Sequence, residues 1–157
     1  DPSAMVTADS LTVTVQRELA ARLAASPGSS EYGPASVMCG VLARGDRDRE
    51  LPPTAFWPKP QVASQFLRLD FDAEAAAGVR DADVLRVLLR AVFTQRRKKI
   101  IAVTRRRDAP YYPPAFLEGL HQAGIDPGAR PWQIAPANYA ALANILAEDM
   151  DQGHVVR

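Results

Sequence analysis

Several features that define familiar classes of protein are missing from this 157-residue sequence. Its single cysteine, Cys39, excludes an internal disulfide and a zinc site built from several cysteines. No apolar run approaches the roughly 20 residues that a membrane-spanning helix needs. The start of the chain also lacks the basic-then-apolar pattern of a signal peptide. We therefore expect a cytoplasmic protein, with Cys39 a buried structural thiol because it lies in the apolar run ASVMCGVLA.

The usual sequence signatures of cofactor and metal sites are also missing. No glycine-rich turn follows a strand, as nucleotide or S-adenosylmethionine binding would require, and there is no P-loop. The two histidines, His121 and His154, are far apart, and neither is accompanied by a cluster of carboxylates. We expect no metal site and no bound cofactor in this chain, and we interpret His121 as a surface or packing residue.

Acidic residues are missing from one long segment, although the net charge of the chain is only +1. Residues 84–107 contain 9 basic and no acidic side chains, whereas residues 1–83 contain 8 basic and 12 acidic ones. A solvated helix face usually mixes both signs, so this segment favours contact with a nucleic-acid backbone, and such binding weakens as salt rises. The candidate phosphate-binding residues are Arg96, Arg97, Lys98, Lys99, Arg105, Arg106 and Arg107.

Hydrophobic periodicity divides the chain into a mixed first part and a helical second part. Strands are predicted at 11–15, 47–51 and 62–71, and helices at 16–26, 34–44, 84–95, 113–124 and 136–150. The helix at 84–95 is expected to continue through the basic residues, and strand 11–15 to have a neighbour on each side. We predict an α/β unit over residues 1–72, the end of a larger sheet, followed by an all-α unit over residues 73–157.

The loop sequence PTAFWPKP places Phe56 and Trp57 among prolines. Pro58 and Pro60 stiffen the loop and remove backbone donors, so they shape it without letting it become helical. The two rings could pack against the core, or one of them could stack on a base, which contributes about 1–3 kcal/mol. The residues alone leave both interpretations open.

Four separate stretches, in the same order, resemble the rRNA adenine dimethyltransferases of the KsgA/RsmA and Dim type. VTVQRELAARLAASPGSSEYGPASV resembles that family's QKEVAxRLxAxPGSKDYGxLSV, and LPPTAFWPKPQVASQFLRLDF resembles VPPxxFxPxPKVDSxVxRL. VFTQRRKKI resembles LFxQRRKxL, and GID with the later helix PANYAALAN resembles GID…LSxEEFxxLAN. The resemblance covers residues 11–147. Gln61-Val62-Ala63-Ser64 departs from Lys-Val-Asp-Ser, which removes one charge of each sign.

The resemblance implies a Rossmann-like methyltransferase sheet followed by a small helical domain that faces RNA. It implies that Phe56 stacks on the flipped target adenine, that Pro58 and Pro60 set the loop, and that Arg96, Arg97 and Lys98 form a basic triplet. The family transfers methyl groups from S-adenosylmethionine to N6 of adenines in small-subunit rRNA. Its cofactor glycines and its Asn-Leu-Pro-Tyr loop lie upstream of this sequence, which begins with Asp1 rather than Met.

We therefore expect a C-terminal portion of such an enzyme, which binds no S-adenosylmethionine and transfers no methyl group by itself. The expected partner is small-subunit rRNA within the pre-30S particle, bound by a monomer that makes no membrane contact. Two alternatives remain open. The chain could be a stand-alone RNA- or ribosome-binding module, or the family fold could serve a transcription factor or a large-subunit rRNA resistance methylase.

Overall fold

The computed structural model describes residues 8–105 and 111–151 of the chain, without the side chain of Asp151. Within these residues there are three strands, β1 (Ser10–Gln16), β2 (Ala43–Leu51) and β3 (Ser64–Phe71). The same residues form six α-helices: α1 (Arg17–Leu23), α2 (Pro34–Gly40), α3 (Ala73–Ala77), α4 (Ala82–Phe93), α5 (Pro113–Gln122) and α6 (Pro136–Asp151). All the described strands precede residue 72, as predicted, and the second part is helical. No helix in the described ranges is long and apolar enough to cross a bilayer.

The three strands form one antiparallel sheet in the order β1-β3-β2. Ser10 to Gln16 pair with Asp70 to Ser64, and β2 pairs with the other edge of β3 with an irregularity between Arg47 and Glu50. β3 is therefore the central strand. β1 has one strand neighbour within residues 8–105 and 111–151, so the prediction that it has two is not met there.

The second predicted helix is shorter than the sequence indicated. α2 ends at Gly40, and β2 begins at Ala43, so residues 41–44 do not belong to a helix. Pro34 occupies the start of α2, a position that suits proline. Val41 and Ala43 are both buried. The residue between them pairs with the residue that follows β3, because the N–H of Asp72 donates to the carbonyl oxygen of Leu42. A short apolar run does not reveal where a helix gives way to a strand.

Local hydrogen bonds and backbone conformation fix the start of α4 and the end of α5. The side chain of Asp81 accepts hydrogen bonds from the N–H groups of Asp83 and Val84 at 2.7 and 3.1 Å and so caps the start of α4. Gly124 has a φ of +67° just after α5, a conformation that few other residues adopt readily. The N–H of Ile125 then returns to the carbonyl oxygen of Leu120 at 2.8 Å, which closes the helix.

The apolar core lies mainly between α4, α5 and α6. Its fully buried members include Leu88, Phe116 and Leu142. Tyr32 also joins this core and donates its hydroxyl to the carbonyl oxygen of Ile134 at 2.7 Å. Burial raises the pKa of the Tyr32 phenol above its ordinary value. Both predicted parts thus contribute to one core, and the boundary between residues 72 and 73 stays a prediction, since two domains can share an apolar interface.

Replacement of Leu88 by alanine should test the position of this core. Leu88 is 0% exposed, so Leu88→Ala should lower the free energy of unfolding by about 2–5 kcal/mol, because it removes buried methyl groups and leaves a cavity. Val87, the preceding residue of α4, is 49% exposed, and Val87→Ala should change stability by only about 0.5 kcal/mol. Urea denaturation followed by circular dichroism measures both. Equal losses would show that this face of α4 is not the buried one.

Candidate nucleic-acid interface

The basic segment does not continue α4 as a helix, contrary to the sequence prediction. α4 ends at Phe93, and the chain turns through residues 94–98, with the N–H of Lys98 donated to the carbonyl oxygen of Gln95 at 2.8 Å. A 3₁₀ helix then covers Ile100–Arg105. The physical cause is Ile100, which is 1% exposed and donates its N–H to the carbonyl oxygen of Ala129 at 2.7 Å. That tertiary hydrogen bond replaces the one a continuing helix would make.

The cations of this segment are exposed and have no carboxylate partner within the described part of the chain. Arg96, Arg97, Lys98 and Lys99 all lie at the surface. Within the described part of the chain, none of these four, nor Arg105, forms an ion pair with a carboxylate. Arg96 donates from Nη2 to the backbone oxygen of Ser30 at 3.1 Å, which neutralises no charge. The sequence-predicted residues Arg106 and Arg107 lie outside the described residues.

A cleft of about 450 Å³ brings cations from two distant segments together. One wall comes from the basic segment and the following 3₁₀ helix, and the other from the turn after α5. The hydrogen bond from Ile100 to Ala129, and a second from the N–H of Ile101 to the carbonyl oxygen of Pro127 at 3.4 Å, hold the walls together. The cleft is lined by Arg97, Lys98, Lys99, Ile101, Ala102, Arg105, Gly128, Arg130 and Gln133, with no carboxylate among them.

Arg130 is the residue of this cleft that the sequence did not single out. It lies far along the chain from the basic segment, in a region where acidic residues predominate. Its backbone N–H donates to Oε1 of Gln133 at 2.9 Å, and the N–H of Gln133 donates to the carbonyl oxygen of Arg130 at the same distance. Only the packing of this turn against Ile100 places Arg130 beside Lys99. No local pattern could have revealed it.

The aromatic loop is the connection between β2 and β3. Pro53–Ala55 forms a 3₁₀ turn, in which the N–H of Ala55 is donated to the carbonyl oxygen of Pro52 at 2.9 Å. Phe56 follows in an extended conformation and is 36% exposed, whereas Trp57 is 97% exposed. Pro58 is exposed and Pro60 half-buried. Neither ring is enclosed by the core, so the packing interpretation does not hold for Trp57 and holds only in part for Phe56.

The loop and the basic cleft are separate features of the surface. Residues that line the cleft belong to the helical part, and the loop residues line none of it. The loop is fixed at both ends, because Leu51 and Ser64 are paired in the sheet. The structure therefore brings Arg97, Lys98, Lys99 and Arg105 together at the cleft. Phe56 belongs to the aromatic loop, which does not line the cleft.

The candidate metal ligands and the cysteine do not form a cluster in the described residues. No group of three or more potential metal ligands occurs within residues 8–105 and 111–151. Cys39 is buried, as predicted, and burial raises the pKa of its thiol. His121 lies exposed on α5, whereas His154 lies outside the described residues.

The described residues do not fit S-adenosylmethionine. β1 ends at Gln16 and α1 begins at Arg17, so the connection has no glycine-rich turn to receive the cofactor. A cleft of about 600 Å³ between α1, α2 and the ends of β2 and β3 has Arg44, Asp70 and Asp72 as its charged lining residues. We assign no step of a reaction to this cleft.

An uncompensated basic cleft together with a rigid, exposed aromatic loop is typical of nucleic-acid-binding proteins. The sequence model of the family described as "Ribosomal RNA adenine dimethylase" matches residues 4–148. The chain belongs to that family.

Curated relatives give the same assignment. "Ribosomal RNA small subunit methyltransferase A" of Alcanivorax borkumensis is 38% identical over 141 residues, which are 90% of this chain and 48% of the relative. The protein of the same name from Lachnoclostridium phytofermentans is 32% identical over 148 residues, which are 94% of this chain and 51% of the relative. The chain thus spans about half the length of these relatives.

A solved structure supports the fold. The dimethyladenosine transferase from Plasmodium falciparum superposes with a TM-score of 0.77 at 18% identity, over 94% of this chain and 59% of the other. The 23S rRNA methyltransferase ErmE superposes less well, with a TM-score of 0.56 at 22% identity, over 88% of this chain and 55% of the other. At these identities, the superpositions establish a shared fold, with a small antiparallel sheet and helices.

Binding to immobilised heparin, a polyanion, should reveal whether both walls of the cleft act together. Arg97→Ala and Arg130→Ala should each elute at lower salt than the unmodified chain, because each removes one cation from the same cleft. Arg86→Ala is the matched control, since Arg86 lies on α4 outside the cleft and is paired with Asp83. Elution of Arg86→Ala at the same salt concentration as the other two variants would show that heparin affinity depends only on net charge.

Proposed function

We propose that this chain is the C-terminal portion of a small-subunit (16S) rRNA adenine-N6,N6-dimethyltransferase that acts in ribosome biogenesis. Membership of the dimethylase family and the names of the curated relatives support the reaction class. The observation that carries the proposal for this chain is the basic cleft, in which Arg97, Lys98, Lys99, Arg105 and Arg130 face one space with no carboxylate among the lining residues.

In this proposal the cleft binds the sugar-phosphate backbone of rRNA. Cations without an ion-pair partner exchange only water and counterions when phosphate arrives, and the released counterions drive the binding. The fixed hydrogen bond between Ile100 and Ala129 keeps the two walls at a constant separation, so the strand meets a preformed groove. Arg96 lies beside a second hollow of about 330 Å³, lined also by Thr94, Gln95, Arg97 and Lys98, which extends the basic surface.

Phe56 is proposed to stack on the target adenine after that base leaves its helix. An enzyme that modifies a base must first remove it from the stack, and an aromatic ring offsets part of the cost. Phe56 has the accessible surface for this contact, at 36% exposure, and the turn before it holds its backbone with a hydrogen bond from its N–H to the carbonyl oxygen of Pro53 at 3.3 Å. Pro58 and Pro60 limit the conformations of the segment that follows.

Methyl transfer belongs, in this proposal, to the intact enzyme, which uses S-adenosylmethionine as the family does. The chain binds the rRNA and positions the adenine. Correct positioning of the reactants supplies a large part of the reduction in the activation barrier of such reactions. The partner is rRNA of the pre-30S particle, bound by a monomer in the cytoplasm. Small-subunit names among the relatives favour this substrate over large-subunit rRNA, and a stand-alone binding module remains the alternative.

The salt dependence of RNA binding tests the role of the basic segment. Replacement of Arg96, Arg97, Lys98 and Lys99 by alanine should flatten the slope of log K against log salt by roughly 3 units, because about 0.7 to 0.9 counterions are released for each phosphate contact. Fluorescence anisotropy of a labelled hairpin from small-subunit rRNA, at several salt concentrations, measures the slope.

The matched control for that experiment removes four cations from the sheet. The variant with Arg44, Arg47, Arg49 and Arg68 replaced by alanine has the same net charge, but these residues do not line the cleft. Its slope should stay close to that of the unmodified chain. If the sheet variant loses as much slope as the segment variant, RNA binding depends on overall charge and the cleft has no special role.

The role of Phe56 is tested in a full-length enzyme that contains this chain. Phe56→Ala should reduce the methylation rate at saturating rRNA much more than it reduces rRNA affinity, because stacking on the flipped adenine is gained only once the base has left the helix. Phe56→Tyr should restore most of the rate. Phe71→Ala provides the control, as Phe71 is similarly exposed at 42% but lies at the far end of β3. Parallel losses of rate and affinity in Phe56→Ala would indicate packing instead.

A further inference from the structure

Trp57 is the most exposed large apolar side chain among the described residues. Its exposure is 97%, whereas Val87 and Tyr112, the next in order, are each 49% exposed. Tryptophan is highly buried on average, because its ring is the largest apolar surface of any side chain. The proposed function gives Phe56 a role and gives Trp57 none. An indole held almost entirely in water therefore calls for a partner outside the described residues.

The backbone around Trp57 is well restrained. The turn over Pro53–Ala55 precedes it, and Pro58 and Pro60 follow it. A proline fixes its own φ and restricts the residue before it, which here is Trp57 itself. A ring presented by a restrained backbone loses less conformational entropy on binding, so more of its contact energy appears as affinity.

The two rings differ in how much of their surface is accessible. Phe56 has φ −124° and ψ 150°, which is extended backbone. The Phe56 side chain is 36% exposed and lies partly against the protein, whereas the Trp57 side chain is 97% exposed. The indole therefore presents almost its whole surface to a partner. The indole is available to another group.

The charge around the loop indicates what that group is. Between Pro52 and Leu67 the only charged residue is Lys59, so no carboxylate of this segment repels an anionic strand. Every nucleobase has a π-face, and stacking on an indole needs no particular sequence. Lys59 is exposed and follows Trp57 by two residues, so it adds a cation that can bind a phosphate of the same strand.

We propose that Trp57 stacks on a second unpaired nucleotide of the bound RNA, distinct from the base that contacts Phe56, and that Lys59 binds its phosphate. The inference rests on the proposed function, since it requires that this chain bind RNA. It adds that the chain recognises at least two unpaired nucleotides at the loop, and so prefers single-stranded or looped RNA over a continuous duplex.

A single-tryptophan variant tests the contact directly. The sequence has two tryptophans, and Trp132 is half-buried against the core, so Trp132→Phe leaves Trp57 as the only source of indole fluorescence. Free in solution, this variant should show the red-shifted emission of an indole in water. A hairpin RNA with an unpaired adenine-rich loop should quench that emission at saturation, whereas a continuous duplex of equal length should leave it nearly unchanged.

Affinity provides an independent measurement on the unmodified background. Trp57→Ala should weaken binding of the looped hairpin by about 5- to 150-fold, the equivalent of one lost stacking contact, and should leave duplex binding unchanged. Trp57→Phe should lose much less, because a smaller ring can still stack. Tyr112→Ala is the matched control, as an exposed aromatic residue outside the loop, and should bind both RNAs normally.

The outcomes separate this inference from the function on which it rests. If the hairpin binds, as anisotropy shows, but indole emission stays constant and Trp57→Ala binds equally well, Trp57 does not stack and only this inference is wrong. Blue-shifted emission before RNA is added would also overturn it, since it would show a buried indole. If neither RNA binds at all, the proposed function fails together with the inference.

Discussion

One hydrogen bond organises the basic surface, the bond from the N–H of Ile100 to the carbonyl oxygen of Ala129. Ile100 is buried, and its burial requires the chain to leave the helical path after Phe93. The turn that results directs Arg97, Lys98 and Lys99 towards water and brings them beside the turn that carries Arg130. An apolar side chain thus determines where the charged ones lie.

The cleft shows how like charges are tolerated in a folded protein. No carboxylate lines it, yet each cation is exposed, so water and salt screen the repulsion at little cost to folding. The ion pairs that do form, such as Arg80 with Glu148 and Arg68 with Asp70, lie elsewhere on the surface. The cleft therefore retains its charge for a partner, and in the proposed function that partner is the phosphate backbone of rRNA.

The aromatic loop differs from the cleft, because its binding surface depends on a restrained backbone rather than on charge. Its ends are fixed by the pairing of Leu51 with Ser64, and proline limits the backbone between them. Two neighbouring rings are then held with different exposures, 36% for Phe56 and 97% for Trp57. The cleft and the loop lie on separate parts of the surface, which suits an elongated partner such as a folded RNA better than a small molecule.

The sequence by itself determined the family, the strand and helix content of each part and the buried state of Cys39. These follow from local chemistry or from ordered motifs. It was wrong about the length of α2 and about the basic segment, which it extended as a helix, because helical spacing of residues 84–95 could not reveal that Ile100 is drawn to Ala129. Only the tertiary structure decided that Arg130 lines the same cleft as Lys99, and that Trp57 is exposed while Phe56 is partly covered. Contacts between residues far apart in the chain decide both, and no local pattern encodes them.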